Sequence, residues 1–217
     1  MGEKLALVTG ASRGIGAALA EGLGARGWHV VAVARTVGAL EELDDRIRAA
    51  GGSATLAPMD IAVSEAMSQL AAAVASRWGG LDLWVHAAIH AAPLAPAAHI
   101  DARDWAKSVA VNVTATQVLI GLTEPLLRVR RGRALFFEDP RGGEKFFGAY
   151  GATKAAQIAL ARSWAAEGAR LGPEVLIEAP PAMATSLRAR FFPGEDRSRL
   201  VRPADAAAPL LERLCAG

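Results

Sequence analysis

Six short apolar runs alternate with longer segments of helical periodicity along almost the whole chain, and this alternation constrains the fold before any motif is considered. Lys4 to Thr9, Trp28 to Ala34, Ala54 to Pro58, Leu81 to Ala87, Arg133 to Phe137 and Glu174 to Ala179 read as strands. Between and after them, Gly14 to Arg26, Val37 to Ala50, Val63 to Trp78, about Asp101 to Val129, Gly148 to Leu171 and Pro203 to Leu214 read as helices. The rhythm predicts an α/β fold built on a doubly wound parallel sheet of about six strands. Ligands of such sheets bind at the carboxyl ends of the strands, beside the point where strand order reverses. Each motif below follows a strand.

The chain is long enough, at 217 residues with 52% hydrophobic content, to bury one sizeable core, so one domain over 1–217 is expected. Cys215 is the single cysteine, which rules out an internal disulfide and offers no zinc cluster, and no metal is expected. The N-terminus enters an apolar run without a basic region or cleavage site, so a cytoplasmic protein is expected. Leu83 to Ile100 lacks charged residues but holds three histidines and two prolines, which suits a buried strand and loop better than a membrane span. Of the 24 basic residues 20 are arginine, and Arg128, Arg130, Arg131 and Arg133 crowd together, as at a solvated helix end or a docking site for an acidic partner. Nucleic acid is not expected, because the basic residues are not interleaved with aromatics on a recognisable module.

Thr9-Gly-Ala-Ser-Arg-Gly-Ile-Gly16 lies where the first strand turns into the first helix. Gly10, Gly14 and Gly16 permit a tight turn and a close approach of backbone to pyrophosphate, and Ser12, Arg13 and Ile15 complete a loop at a helix N-terminus that favours negative charge. About twenty residues on, where an acid would accept the ribose hydroxyl of NAD, the sequence is Val33-Ala34-Arg35-Thr36. Arg35 with Arg13 forms a guanidinium pair suited to a 2′-phosphate, so NADP(H) is preferred. Asp60, after the third strand, is placed to accept from an adenine amino group or to cap the following helix.

Tyr150 and Lys154, four apart on a helix, share one face, so the ammonium can stabilise the phenolate. With the glycine loop, with Asn112 in Val111-Asn-Val113 and with Asp60, this pair makes the chain resemble the short-chain dehydrogenases/reductases over nearly its whole length, to about Ala208. The resemblance implies a Rossmann-like fold in which Tyr150, Lys154 and Asn112 are catalytic. Tyr150 would donate a proton to a carbonyl as hydride arrives from NADPH. Lys154 would also hold the nicotinamide ribose, Asn112 would bind a water linking the lysine to solvent, and Thr185 would hold the carboxamide.

The departures from the family pattern concern the same site. His86-Ala87-Ala88-Ile89 stands for Asn-Asn-Ala-Gly, so Ala87 would border the cofactor with a branched Ile89 where glycine lets it pass, and His86 reads as a structural histidine. Pro180-Pro181 replaces Pro-Gly beside the nicotinamide. No serine or threonine occurs from Glu124 to Ala149, so the serine that orients the substrate carbonyl is missing. Family spacing puts Phe137 in its place, and a two-residue shorter loop puts Glu138 or Asp139 there. An ionised carboxylate would repel charge growing on the carbonyl oxygen, whereas a protonated one could donate.

Residues of about 183–203 would form a movable flap over the substrate, with Phe191 and Phe192 either contacting an apolar substrate body or plugging the core. Among the family's substrates, 3-oxoacyl thioesters are favoured, with Arg130 and Arg170 in places where family reductases dock an acyl carrier protein. The family's seventh strand is expected to be lacking. A homodimer is expected through the two long helices, using Val109, Val113, Val118, Ala161 and Ala165. Two functions stand side by side: an NADPH-dependent carbonyl reductase, and a degenerate relative that binds nucleotide or a partner without turnover.

Overall fold

The computed structural model describes residues 4–168 and 172–216. Its centre is a parallel sheet of β1 (Leu5–Thr9), β2 (His29–Ala34), β3 (Ser53–Pro58), β4 (Leu83–His86), β5 (Arg133–Phe137) and β6 (Glu174–Glu178). The strand order is β3-β2-β1-β4-β5-β6, so the order reverses between β1 and β4. Side chains alternate faces along each strand. Leu5 and Leu7 join one core with Trp84, Phe136 and Trp164, while Ala6 and Val8 join the other with Val85, Leu135 and Phe137.

Helices cover both faces, as parallel strands buried on two sides require. One layer holds α1 (Gly14–Gly24), α2 (Val37–Ala49) and α8 (Pro203–Cys215), and the other holds α3 (Ser64–Trp78), α5 (Ala115–Arg130) and α6 (Gly148–Gly168). The short helix α4 (Ala102–Val109) runs into α5 through a π-helical turn, Ala110–Thr114, which contains Asn112. The single long helix expected there is therefore interrupted at a candidate catalytic residue, a usual place for a π-turn. By length and composition Ala102–Arg130 would also pass for a membrane span, yet Val111, Ala115, Leu119, Leu126 and Leu127 along it belong to the core facing the sheet.

In the arginine cluster, Arg128 and Arg131 stay exposed at the end of α5, as a solvated helix end implies, while Arg130 and Arg133 are engaged by the fold. Arg128 pairs with Glu124 at 2.6 Å, Arg131 ends α5 in the left-handed region at φ 51°, and Arg133 donates to the carbonyls of Arg213 and Leu214, closing the C-terminus of α8. Arg130 pairs with Asp82 at 3.0 Å and donates to the Trp78 carbonyl, while Asp82 accepts from the Leu5 amide. A guanidinium so engaged ties the end of α5 to the amino ends of β1 and β4, a structural role beside the docking expected of it. Arg170 lies outside the described residues.

Two further expectations change. Ala161, assigned to a dimer face, is fully buried against the sheet, whereas Val109, Val113, Val118 and Ala165 are half-buried. The segment expected to form a flap leaves and rejoins the body at a bridge between Met183 and Val201 and carries α7 (Ser186–Phe191). Phe191 and Phe192 do not line the cavity described below. Phe191 is buried against Phe147 and Tyr150, with ring centroids 4.9 Å from each, and Phe192 packs beside Phe147. They close the apolar side of the site as a plug.

Arg130→Ala is expected to lower stability by about 1–3 kcal/mol, because it removes the charged partner of Asp82 and the donor to Trp78. Urea unfolding measures it. An unchanged midpoint would show that these contacts do not hold α5 to the sheet.

Candidate active site

The reversal of strand order opens a cavity of about 410 Å³ at the carboxyl ends of β1, β4 and β5. Gly10, at φ +83°, turns the chain out of β1, and its amide donates to the Val33 carbonyl. A Cβ at Gly10 would lie 2.5 Å from the Ala88 nitrogen, and one at Gly16 would lie 2.3 Å from the Gly10 carbonyl oxygen. Only glycine allows this packing of loop, helix and β4. Gly14, at φ +59°, faces the cavity, where the nearest atom to an added Cβ is the Thr185 methyl at 3.5 Å. The N-terminus of α1 thus presents a side-chain-free cradle suited to a phosphate.

Ser12, Arg13, Ile15, Ala87 and Pro180 border this cradle in the cavity wall. Arg35 and Asp60 share the same wall, 3.8 Å apart as a half-exposed pair. The other oxygen of Asp60 accepts from the Ala62 amide, so the aspartate closes a turn before α3 and does not cap the helix, whose N-cap is Val63. Thr185 caps α7 by accepting from the Arg188 amide. Ile89 lies in the cavity wall and packs on the aromatic plug.

Tyr150 and Lys154 reach the cavity from one face of α6, and both are buried. No hydrogen bond joins them among the described residues. The Tyr150 hydroxyl instead donates to Oδ2 of Asp139 at 2.9 Å, and the Lys154 ammonium donates to Oε1 of Gln157 at 2.7 Å. Burial first, then the charge and hydrogen bond of Asp139, push the tyrosine pKa up, against a smaller opposing effect of Arg141. Burial lowers Lys154 to about 8, with Asp139 and Glu138 opposing.

The end of β5 and the loop after it bring Phe137, Glu138 and Asp139 near the cavity. Phe137 turns into the sheet core, and Glu138 pairs with Arg162 at 2.7 Å while its amide donates to the Glu178 carbonyl. Asp139 alone meets the tyrosine, with Arg141 3.4 Å from its other oxygen. Arg141 also pairs with Glu144 and lies over the Phe147 and Phe192 rings, which holds the loop in shape.

Asn112 is fully buried in the π-helical turn. Its side chain accepts from the His90 amide at 2.7 Å and donates to the His90 carbonyl and to Thr153, so it clamps the loop after β4. Its own carbonyl accepts from Thr116 and, at 3.3 Å, from Gln157. Gln157 thus bridges Asn112 and Lys154 with a side-chain amide. The same amide nitrogen meets Thr116 and His86, whose ring also meets Thr9 at 2.8 Å. Gln157 falls three residues after Lys154 and seven after Tyr150, a spacing that puts it on their helix face and could have flagged it in the sequence. Arg141 carries no such signal, because its place depends on the path of a loop.

The family model described as short chain dehydrogenase matches residues 4–196. A solved short chain dehydrogenase of Pseudomonas syringae superposes with TM-score 0.92 at 31% identity, covering 97% of this chain and 88% of that one. A second, from Escherichia coli CFT073 and complexed with NADPH, gives TM-score 0.89 at 28% identity, covering 99% and 91%. Among curated relatives, the fatty acyl-CoA reductase of Acinetobacter baylyi is 30% identical over 168 residues, which are 76% of this chain, and the chain spans 57% of that protein's length.

Burial, and secondarily Lys154, lowers the fully enclosed His86 from 6.5 to about 3. Between those values the unfolded chain binds a proton at this histidine and the folded one does not, so folding stability falls as pH falls through that window. The urea midpoint of the wild type is expected to decline more steeply than that of His86→Gln from about pH 7 to about pH 4. Parallel curves would show that the ring takes up its proton in the folded state.

Proposed function

The chain belongs to the short-chain dehydrogenase family, and on that footing we propose that it is an NADP(H)-dependent oxidoreductase that reduces a carbonyl group to an alcohol. One observation carries the reading: a single cavity holds both the glycine cradle at α1 and the buried pair Tyr150 and Lys154. Gly10, Ser12, Gly14, Ile15 and Gly16 would receive the pyrophosphate, and Thr185 and Pro180 would border the nicotinamide end. NADPH, when bound, supplies hydride to the substrate carbon. Arg13 and Arg35 provide the positive charge a 2′-phosphate needs, and the NADPH-bound relative from E. coli supports the same choice.

Tyr150 donates the proton to the substrate oxygen, and the charge of Lys154 favours the phenolate that this leaves. Phe191 and Phe192 exclude water behind the tyrosine. Asn112 and Thr153 keep the loop after β4 in register with α6, so that the wall opposite the tyrosine is fixed. The first substrate class we propose is the 3-oxoacyl thioester, which the likeness to the fatty acyl-CoA reductase supports.

A second reading, cofactor or partner binding without turnover, is favoured by the Tyr150–Asp139 contact, since it ties up the donor and sets negative charge beside the oxygen to be reduced. Consumption of NADPH across 3-oxoacyl thioesters and simple ketones separates the two. Tyr150→Phe is expected to lower turnover by about 10²- to 10⁴-fold with cofactor affinity unchanged. Turnover that survives in Tyr150→Phe would remove the tyrosine from the mechanism.

For the cofactor, Arg35→Asp is expected to weaken NADPH by about 10- to 100-fold and to favour NADH, through loss of a charge-assisted phosphate contact. Calorimetric titration of both dinucleotides reads the change. Equal affinities in the wild type would show that the arginines serve no phosphate.

A further inference from the structure

We infer that Asp139 is a catalytic group: the proton that Tyr150 exchanges with the substrate oxygen passes to and from solvent through the Asp139 carboxylate, and not through Lys154. The inference rests on the oxidoreductase reading above and adds the proton path to it.

Three observations carry it. The hydroxyl of Tyr150 points its proton at Oδ2 of Asp139, 2.9 Å away, so the acceptor is already aligned. On the other side, the Lys154 ammonium is held by Gln157, whose amide nitrogen is bound in turn to the Asn112 carbonyl, Thr116 and His86. An amide has no titratable proton to pass on, so this chain of contacts fixes Lys154 but carries no proton outward. Finally, the side chain of Asp139 is 26% exposed while Lys154 is 6% exposed, so the carboxylate is the partner that meets water.

The step balances in both directions. In oxidation, the substrate O–H bond breaks and its proton goes to the phenolic oxygen of Tyr150 as the tyrosine's own proton goes to Oδ2 of Asp139. The electron pair of the carbinol C–H bond leaves as hydride to the oxidised nicotinamide, and the carbon–oxygen double bond forms. The neutral acid of Asp139 then releases its proton to water, which completes alcohol plus NADP⁺ to ketone plus NADPH and H⁺. Reduction reverses each transfer and requires Asp139 to arrive protonated. Because oxidation releases a proton through Asp139 and reduction takes one up there, oxidation gains and reduction loses as pH rises. The groups that face it are Tyr150 and Lys154 from α6, Arg141 and Glu144 from its own loop, and Arg188 with its partner Glu195 from the α7 segment.

Asp139→Asn is the test, because it keeps an acceptor beside the tyrosine and removes the proton site. The variant is expected to lower kcat by about 10²- to 10⁴-fold in both directions with little change in KM, and to lose the acid-side limb of the oxidation profile. Asp139→Glu is expected to restore part of the rate and the limb. A second readout needs no turnover: the chain contains one tyrosine, so ultraviolet difference titration of phenol ionisation reports on Tyr150 alone. Its midpoint is expected to fall in Asp139→Asn. Turnover that survives in Asp139→Asn with its pH profile intact, a rate increase in Asp139→Ser, or equal tyrosine midpoints in wild type and Asp139→Asn would each overturn the Asp139 route alone. A wild type that binds NADPH and turns over nothing overturns the oxidoreductase reading together with it.

Discussion

The approach of Gly10 to the backbone of Ala87 and Ala88 governs how the two halves of the sheet meet. At this point β1 has its neighbours β2 and β4 on opposite sides, and the connections leaving them diverge to opposite faces. The cavity exists because no side chain fills the gap that this divergence leaves. A methyl group at Gly10 would collide with main-chain atoms, which cannot move without displacing β4. Register then does the rest: Thr9, His86 and Phe136 stand side by side at the carboxyl ends, so the first polar groups below the cavity are set by strand pairing.

Beneath the cavity lies a connected set of buried polar groups. Thr9, His86, Thr116, Gln157 and Lys154 satisfy one another, and Trp84 adds its indole donor to Thr9. Burying an ammonium costs several kcal/mol unless hydrogen bonds replace its water. Gln157 supplies one such bond, and the lowered pKa of Lys154 is the part of the cost that remains. The histidine stays neutral because its ring is enclosed next to that ammonium. A network satisfied in this way holds α6 against β4 in one arrangement, which fixes the height at which Tyr150 enters the cavity.

Asp139 changes what this scaffold can do. A neutral hydroxyl beside the tyrosine would stabilise a developing oxyanion by donation, an effect worth about 3–4 kcal/mol. A carboxylate cannot donate, and its charge opposes the oxyanion. What it offers instead is a site that accepts the tyrosine's proton within hydrogen-bond reach. The loop that delivers it is held by Arg141, which bridges Asp139 and Glu144 and rests on two rings of the plug. Loop, plug and tyrosine therefore form one unit.

The fold was legible in the sequence because strand and helix periodicities are local. Five of the six strands lie within one residue of the runs read from the pattern, and the remaining one, β4, is shortened at its start from Leu81 to Leu83. The glycine loop and the Tyr150–Lys154 pair were legible for the same reason, since each is a spacing within one turn or one helix. Partners set by the path of the chain were not. The arginine cluster read as a solvated end or a docking patch, but Arg130 and Arg133 reach Asp82 and the end of α8, which are distant in sequence. Phe191 and Phe192 read equally as substrate contacts or as a plug, and only packing on Phe147 and Tyr150 decided between them. The sequence offered Phe137, Glu138 or Asp139 as the neighbour of Tyr150. Tertiary structure alone selected Asp139, because the strand pairing of β5 with β6 sends Glu138 out to Arg162 and turns the next residue toward the tyrosine.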